Sequence, residues 1–360
     1  MNRLYGIQYL RALAALAVVI FHAAERSGAH FAIGAAGVDV FFVVSGFIMW
    51  TIAQARPVAP TRFLRERLER IAPVYWIATV VMVGGALFGL FPNLKLTLGH
   101  VLGSLFFIPH RSPSTGDIWP VLVQGWTLNY EMFFYAVFAA TLLLPSRHRL
   151  AALASVLVGL VALGSLLESG NPLLATYTNP IILEFLLGAL IGKAWADENI
   201  AAPTTGLGLV LVAFLCFAFV GATGAGFTPW VFGPAAAALV IGTLALERGG
   251  VIEGFRPAAY LGDASYSIYL WHSFAISVVA KLAAILSLPV LVALPLAVVG
   301  GVGVGVAAYE LIEKPITRAF KNRRGAAGLP LPELWSKVRR SVGDFCRLMR
   351  LRWLRARTNF

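Results

Sequence analysis

The string RALAALAVVIFHAAE, Arg11 to Glu25, places a guanidinium, an imidazole and a carboxylate in one apolar run. On a helix, eleven residues rise about 16.5 Å and return to within about 20° of their starting direction. Arg11 and His22 therefore share a face, with Gln8 and Glu25 close to it. An arginine can hold an anion through its planar fork, and a histidine can take up or pass on a proton near neutral pH. Ionisable groups in hydrocarbon are costly, and they mark working sites more often than chance placement. The structural alternative is that Arg11 snorkels to one interface while His22 and Glu25 sit in the other.

Further polar residues stand in equally apolar surroundings. GVDVFFVVSGF places Asp39 at roughly the depth of His22, where a helix N-terminus also favours a negative charge. In QGWTLNYEMFFY, Gln124, Thr127, Glu131 and Tyr135 fall on one stripe, with Tyr130 beside Glu131. In YLGDASYSIYLWH, Ser265, Tyr269 and His272 repeat the pattern and Tyr266 is interleaved with them. Hydrogen bonding between helices would explain both stripes structurally. Glu184 in ILEFLLG is a further carboxylate with no assigned role. In RFLRERLERIAPVYW, Arg67 and Arg70 are i, i+3 neighbours on a helix entering the apolar region, and with Arg11 they would form a cation cluster for a polyanion.

The elements that must position these residues are membrane helices. The 360 residues are 59% hydrophobic and 13% charged, with a mean hydropathy of +0.78. A soluble domain carries about 25% charged residues. Apolar blocks of spanning length predict an all-α integral membrane protein with about ten transmembrane helices, at 7–25, 36–55, 72–91, 120–144, 150–168, 178–196, 205–222, 229–247, 260–282 and 287–312. Leu96 to Ile108 is short and reads as a re-entrant or interfacial piece. With the N-terminus inside, twenty-four of the 29 Lys and Arg fall in inner segments. That asymmetry predicts two cytoplasmic termini and a multi-pass protein of the inner membrane. An N-terminal signal peptide would also fit the first apolar run, but Phe21 to Ala24 is a poor cleavage site and an uncleaved span is the better reading.

From Glu313 the chain carries thirteen basic and three acidic residues. A basic tail beside a last span fits contact with anionic lipid, and LWSKVRRSVGDFCRLMRLRWL has the pattern of an interfacial amphipathic helix. No nucleic-acid-binding module accompanies the charge. Two cysteines form no disulfide framework, and neither zinc spacing nor a phosphate loop is present, so no metal site is expected. GGVGVG, Gly300 to Gly305, lies in an apolar helix and reads as a close-packing face.

Taken in order, Arg11-x10-His22, GVDVFFVVSGF, RERLERIAPVYW, WTLNYEMFFY, LGDASYSIYLWH and Glu313-Lys314-Pro315 resemble acyltransferase family 3, in particular its exopolysaccharide-production branch. These polytopic enzymes O-acetylate bacterial surface sugars. The resemblance implies a transmembrane acyltransferase domain over residues 1–318 and a basic cytoplasmic tail over 319–360. It implies acyl-CoA, acetyl-CoA in particular, as donor substrate, no bound cofactor, and a saccharide acceptor that a lipid could carry. His22 matches the family's essential histidine; Arg11, Arg67 and Arg70 match its basic, donor-binding positions. His22 would serve as general base or as transient acyl carrier. Glu25, Asp39 or Glu131 would orient the imidazole, Glu131 foremost on the motif match. Tyr130, Tyr266, Tyr269, His272 and Ser265 would belong to the substrate or hydrogen-bond network. A transporter or flippase of polysaccharide precursors is the rival class, but no internal repeat with paired broken helices supports it.

Overall fold

The computed structural model describes residues 3–167, 169–223 and 228–327, with side chains given to 323. Thirteen α-helices, three short 3-10 turns and one π-helical turn (Tyr309–Glu313) occur among these residues, and no strand does. In chain order they are α1 (Tyr5–Ser27), α2 (Gly37–Ala55), α3 (Pro60–Leu87), α4 (Leu98–Leu105), α5 (Trp126–Thr141), α6 (Ser146–Leu166), α7 (Pro172–Tyr177), α8 (Leu183–Ala196), α9 (Pro203–Thr223), α10 (Pro229–Arg248), α11 (Arg256–Ile285), α12 (Val290–Ala308) and α13 (Lys314–Ala327). The residues fall into two units, the bundle ending at Ile312 and a second unit beginning at Glu313. In the second unit, α13 is a basic helix, and the proposed amphipathic segment beyond residue 327 lies outside the described residues.

Local chemistry sets the helix ends. α3, α7 and α10 open on proline in the first turn, where the missing N–H has no intrahelical partner to lose. α1 closes on Gly28 at φ +78°, whose N–H returns to the Ala24 carbonyl in a left-handed cap. The start of α1 is capped from another element. Glu247, near the end of α10, accepts from the N–H groups of Tyr5 at 2.5 Å and Gly6 at 2.9 Å, taking up donors that a helix leaves orphaned. Arg3 donates to Asp263 at 2.8 Å and to the Ala259 carbonyl at 3.0 Å, and the Tyr9 hydroxyl donates to the Glu253 carbonyl. These bonds fix α1 in depth and rotation, and so fix Arg11 and His22.

Packing then brings three groups of helices around α2, a largely buried helix. α1, α11 and α12 pack side by side, α9 pairs with α10, and α8 lies along α2. The close crossings use glycine. A Cβ on Gly46 of α2 would strike the Phe185 carbonyl, and one on Gly188 of α8 would strike the Val43 carbonyl. The GGVGVG string does pack closely, since Gly301 faces Val19, His272 and Ile276 while Gly305 lies on Ile268. The aromatic core behind the site runs Phe42, Phe185, Phe134, Phe138 and Phe63, with the first three rings stacked at 4.5 Å.

Eight helical runs among the described residues are long and apolar enough to cross a membrane: α1, α2 with its preceding 3-10 turn, α3, α6, α9, α10, α11 and the run beginning at Val290. This is a multi-pass membrane protein. The expected spans at 120–144 and 178–196 are shorter as helices. α5 has 16 residues after a 3-10 turn at Val123–Gly125, and α8 has 14 after one at Pro180–Ile182. They rise about 24 and 21 Å, less than a hydrocarbon core of about 30 Å. Both segments are largely apolar, and the turns preceding the helices shorten them. α3 departs in the other direction, beginning at Pro60 rather than 72, so that Arg62, Arg65, Arg67 and Arg70 all stand on the helix itself. Leu96 to Ile108 contains only the eight-residue α4, whose His100 has its imidazole pKa lowered by burial.

Candidate active site

α1, α2, α3, α5 and α11 enclose a cleft of about 770 Å³, including space open to the outside. Arg11 enters from α1, Ser45 from α2, Arg67 and Arg70 from α3, Glu131 and Tyr135 from α5, and Ser265, Tyr266 and Tyr269 from α11. Helical spacing explains each set, because residues three or four apart meet on one face. Arg11 donates to Gln8 Oε1 at 3.1 Å, one turn earlier. Glu131 accepts from the Ser45 hydroxyl at 3.2 Å and from the Tyr135 hydroxyl. The Arg67 guanidinium lies 5.9 Å from the centre of the Phe63 ring, and its buried Nε has no hydrogen-bond partner. Three guanidinium groups face one carboxylate among the described lining residues, so the lining is net positive.

Hydrogen bonds hold the walls together. The Tyr266 hydroxyl donates to the Ile71 carbonyl at 2.8 Å and ties α11 to α3 beside Arg70. The Tyr269 hydroxyl donates to the Gln124 carbonyl at 3.1 Å and stands 3.0 Å from the Thr127 hydroxyl. Tyr269 also marks a boundary. Its ring lies 5.9 Å from that of Phe41, which also lines the cleft, and 6.2 Å from that of His272, which does not. Beyond it, His22 and His272 stack at 5.2 Å with 24° between their planes. His22 Nδ1 lies 3.8 Å from the Glu25 carboxylate. His272 is fully buried, and its Nδ1 bonds the Ile268 carbonyl at 3.0 Å. The molecule thus has an arginine-lined cleft at one depth and a histidine pair at another, joined at Tyr269.

The sequence matches the acyltransferase family 3 model, an acyltransferase domain, over residues 4–310. The chain belongs to that family. It is 51% identical over 311 residues to the exopolysaccharide production protein ExoZ of Rhizobium meliloti (strain 1021), covering 86% of this chain and 98% of that one. It is 25% identical over 305 residues to the peptidoglycan O-acetyltransferase OatA of Listeria monocytogenes, covering 74% of this chain and 48% of that one. The Staphylococcus aureus (strain NCTC 8325 / PS 47) O-acetyltransferase OatA is 23% identical over 309 residues, covering 74% and 49%. No solved structure matches.

The acyltransferase brings together some of the residues predicted from sequence and separates others. Arg11, Arg67, Arg70, Glu131, Ser265, Tyr266 and Tyr269 share the cleft, while His22, Glu25 and His272 form the second cluster. Of the three carboxylates expected to orient the His22 imidazole, Glu25 stands 3.8 Å from Nδ1, while Glu131 lies in the arginine cleft, bonded to Ser45 and Tyr135. Asp39 does not reach the imidazole either. Its buried carboxyl lies against that of Glu184, across the packed α2 and α8. Tyr130 packs on Phe42 and Trp126 behind the cleft and does not line it. Sequence reasoning missed Ser45 as a partner of Glu131, and it missed the Asp39–Glu184 pairing. Both join residues far apart in the chain, and only the polar types inside apolar strings could have signalled them.

Proposed function

We propose that this acyltransferase moves an acyl group, acetyl in the first instance, from an acyl-CoA to a hydroxyl of a cell-surface or exopolysaccharide sugar. In this reading it lies in the inner membrane with both termini in the cytoplasm. The observation that carries the reading is the convergence of Arg11, Arg67 and Arg70, from two helices, on one net-positive cleft whose wall includes Tyr269, 6.2 Å from the His272 ring. CoA is a polyanion, and guanidinium groups bind its phosphates bidentately. Arg11 and His22 lie about 16.5 Å apart by helical rise, about the reach of an extended pantetheine arm. A donor anchored on the arginines would present its thioester past Tyr269 to the histidine pair.

There the acceptor hydroxyl oxygen would attack the thioester carbonyl carbon while His22 removes the hydroxyl proton. The new C–O bond forms, the C–S bond breaks, and CoA leaves as the thiolate. An acyl-histidine intermediate on His22 gives the same products in two steps. ExoZ is an exopolysaccharide production protein, which supports a polysaccharide as acceptor, and the OatA proteins are O-acetyltransferases, which supports acetyl as the group transferred.

Sealed vesicles of known orientation test the reading. Acetyl-CoA on the cytoplasmic face should support acetylation of a sugar acceptor held on the other face. A cysteine placed at position 30 should label from outside, and one at 61 only from inside. Transfer that requires both substrates on the cytoplasmic face would refute the transmembrane arrangement. No transfer or acetyl-CoA hydrolysis under any arrangement would refute the donor assignment.

A further inference from the structure

His272 holds an imidazole nitrogen that the fold leaves without a partner. The ring is fully buried, and Nδ1 lies 3.0 Å from the Ile268 carbonyl. A carbonyl oxygen only accepts, so Nδ1 carries the proton and Nε2 holds the lone pair. Nε2 is buried with no hydrogen-bond partner, a state that costs stability unless a donor reaches it during function. The neighbouring ring is His22, 5.2 Å away between centres and 24° from parallel. Glu25 stands 3.8 Å from His22 Nδ1 and favours a proton there, so the lone pair of neutral His22 is on its own Nε2. Two lone pairs on adjacent rings cannot bond each other. The pair lacks one proton, and proton removal from an attacking hydroxyl supplies one.

We propose that His272 is a positioning residue for His22, accepting at Nε2 the N–H that His22 gains when it takes the acceptor's proton. The inference rests on His22 acting in acyl transfer, as in the reading above. Arg26, one turn beyond His22, lies within electrostatic reach and opposes a second positive charge there, so the imidazolium benefits from a neutral acceptor alongside. The side chain of His22 is 34% exposed, so the acceptor and water can reach its ring while its other face lies on His272. CoA leaves as a thiolate, and a thiol ionises far more readily than an alcohol (about 8.5 for free cysteine), so it departs without protonation. The proton therefore stays on His22 between the two rings until it passes to water. His272 touches no reacting atom; it holds the ring that does. Gly301 of α12 packs closely on His272, since a Cβ there would meet Val19 at 3.2 Å and His272 Cβ at 3.4 Å.

The test compares His272→Gln with His272→Leu in the full-length purified protein. Glutamine retains an acceptor oxygen near the Nε2 position, whereas leucine fills the same apolar slot with none. The expected result is a kcat at least about 100-fold down for His272→Leu and within about 10-fold of wild type for His272→Gln. KM for acetyl-CoA should stay within about 2-fold in both. A role in packing alone predicts the opposite order, because leucine suits a buried site better than glutamine. Leucine turning over as fast as glutamine, or faster, overturns the proposal. If both variants fail to fold, Gly301→Val reads the same geometry from α12; it should lower kcat by about 10-fold at unchanged donor KM, and wild-type kcat overturns the proposal. His22→Ala assayed alongside separates the two claims. Its full activity would refute the catalytic role of His22, whatever the His272 variants do.

Discussion

Replacing Gly262 by alanine should impair catalysis without touching either cluster. Gly262 sits on α11 at a close approach to α1, and a Cβ there would strike the backbone carbonyl of Gln8. Backbone cannot swing aside as a long side chain can, so one helix must move by about 1 Å to restore van der Waals contact. Gln8 is the residue that receives the Arg11 guanidinium at 3.1 Å, and α11 carries Tyr269 and His272, so the shift displaces the arginine and the histidine pair together. Overpacking of this kind costs about 1–3 kcal/mol, and a displacement near 1 Å at a reacting centre can cost about 100-fold in rate. The expectation is a kcat 10- to 100-fold down with a modestly lowered melting temperature. Gly303→Ala on α12 is the control. Its Cβ would point into open space, and alanine in a helix interior is favoured by about 0.5–1 kcal/mol. Initial rates over an acetyl-CoA titration, with a thermal melt of each variant in detergent, supply the numbers. Wild-type kcat and melting temperature for Gly262→Ala would refute the reasoning that this crossing sets the geometry of the site.

Arg70→Ala should raise the KM for acetyl-CoA by about 10-fold or more and leave that for the acceptor within about 2-fold, consistent with about 1.5–3 kcal/mol for a charge-assisted bond. Arg70→Lys should recover only part of the loss, because an ammonium cannot reproduce the fork; superimposable donor titrations of Arg70→Ala and wild type would contradict the assignment. Glu247→Gln should lower stability by about 1–2 kcal/mol through its weakened hold on the Tyr5 and Gly6 N–H groups, read as a lower melting temperature. An unchanged melt would show that the start of α1 does not depend on that cap.

Much of this architecture was legible in the sequence because membranes impose a simple pattern. Long apolar blocks marked α1, α2, α6, α9 and α10 with ends displaced by only a few residues, and helical spacing put Arg11 and His22 on one helix, α1. The arginine cluster was legible for the same reason, since Arg67 and Arg70 follow helical spacing. The failures have a common cause in contacts between distant segments. Glu131 could be assigned to His22 by motif, but only packing reveals that α5 presents it to α2 and that Glu25 stands beside the imidazole. Glu247 is the last residue of the expected span at 229–247, and its capping of α1 depends on the fold bringing two helix ends together across 241 residues of chain. The 3-10 turns before α5 and α8 escaped for another reason: hydropathy does not register a break that keeps the composition apolar.

The most direct measurement is single-turnover acyl transfer by purified His22→Ala, with acetyl-CoA binding measured on the same preparation. The account predicts that the variant binds acetyl-CoA within about 3-fold of wild type, because Arg11, Arg67 and Arg70 remain in the cleft. It predicts transfer to the sugar acceptor at least about 1,000-fold slower, within the range of about 100- to 10,000-fold for a positioned general base. Transfer by His22→Ala near the wild-type rate would contradict the central claim, as would complete loss of donor binding in a protein that still folds.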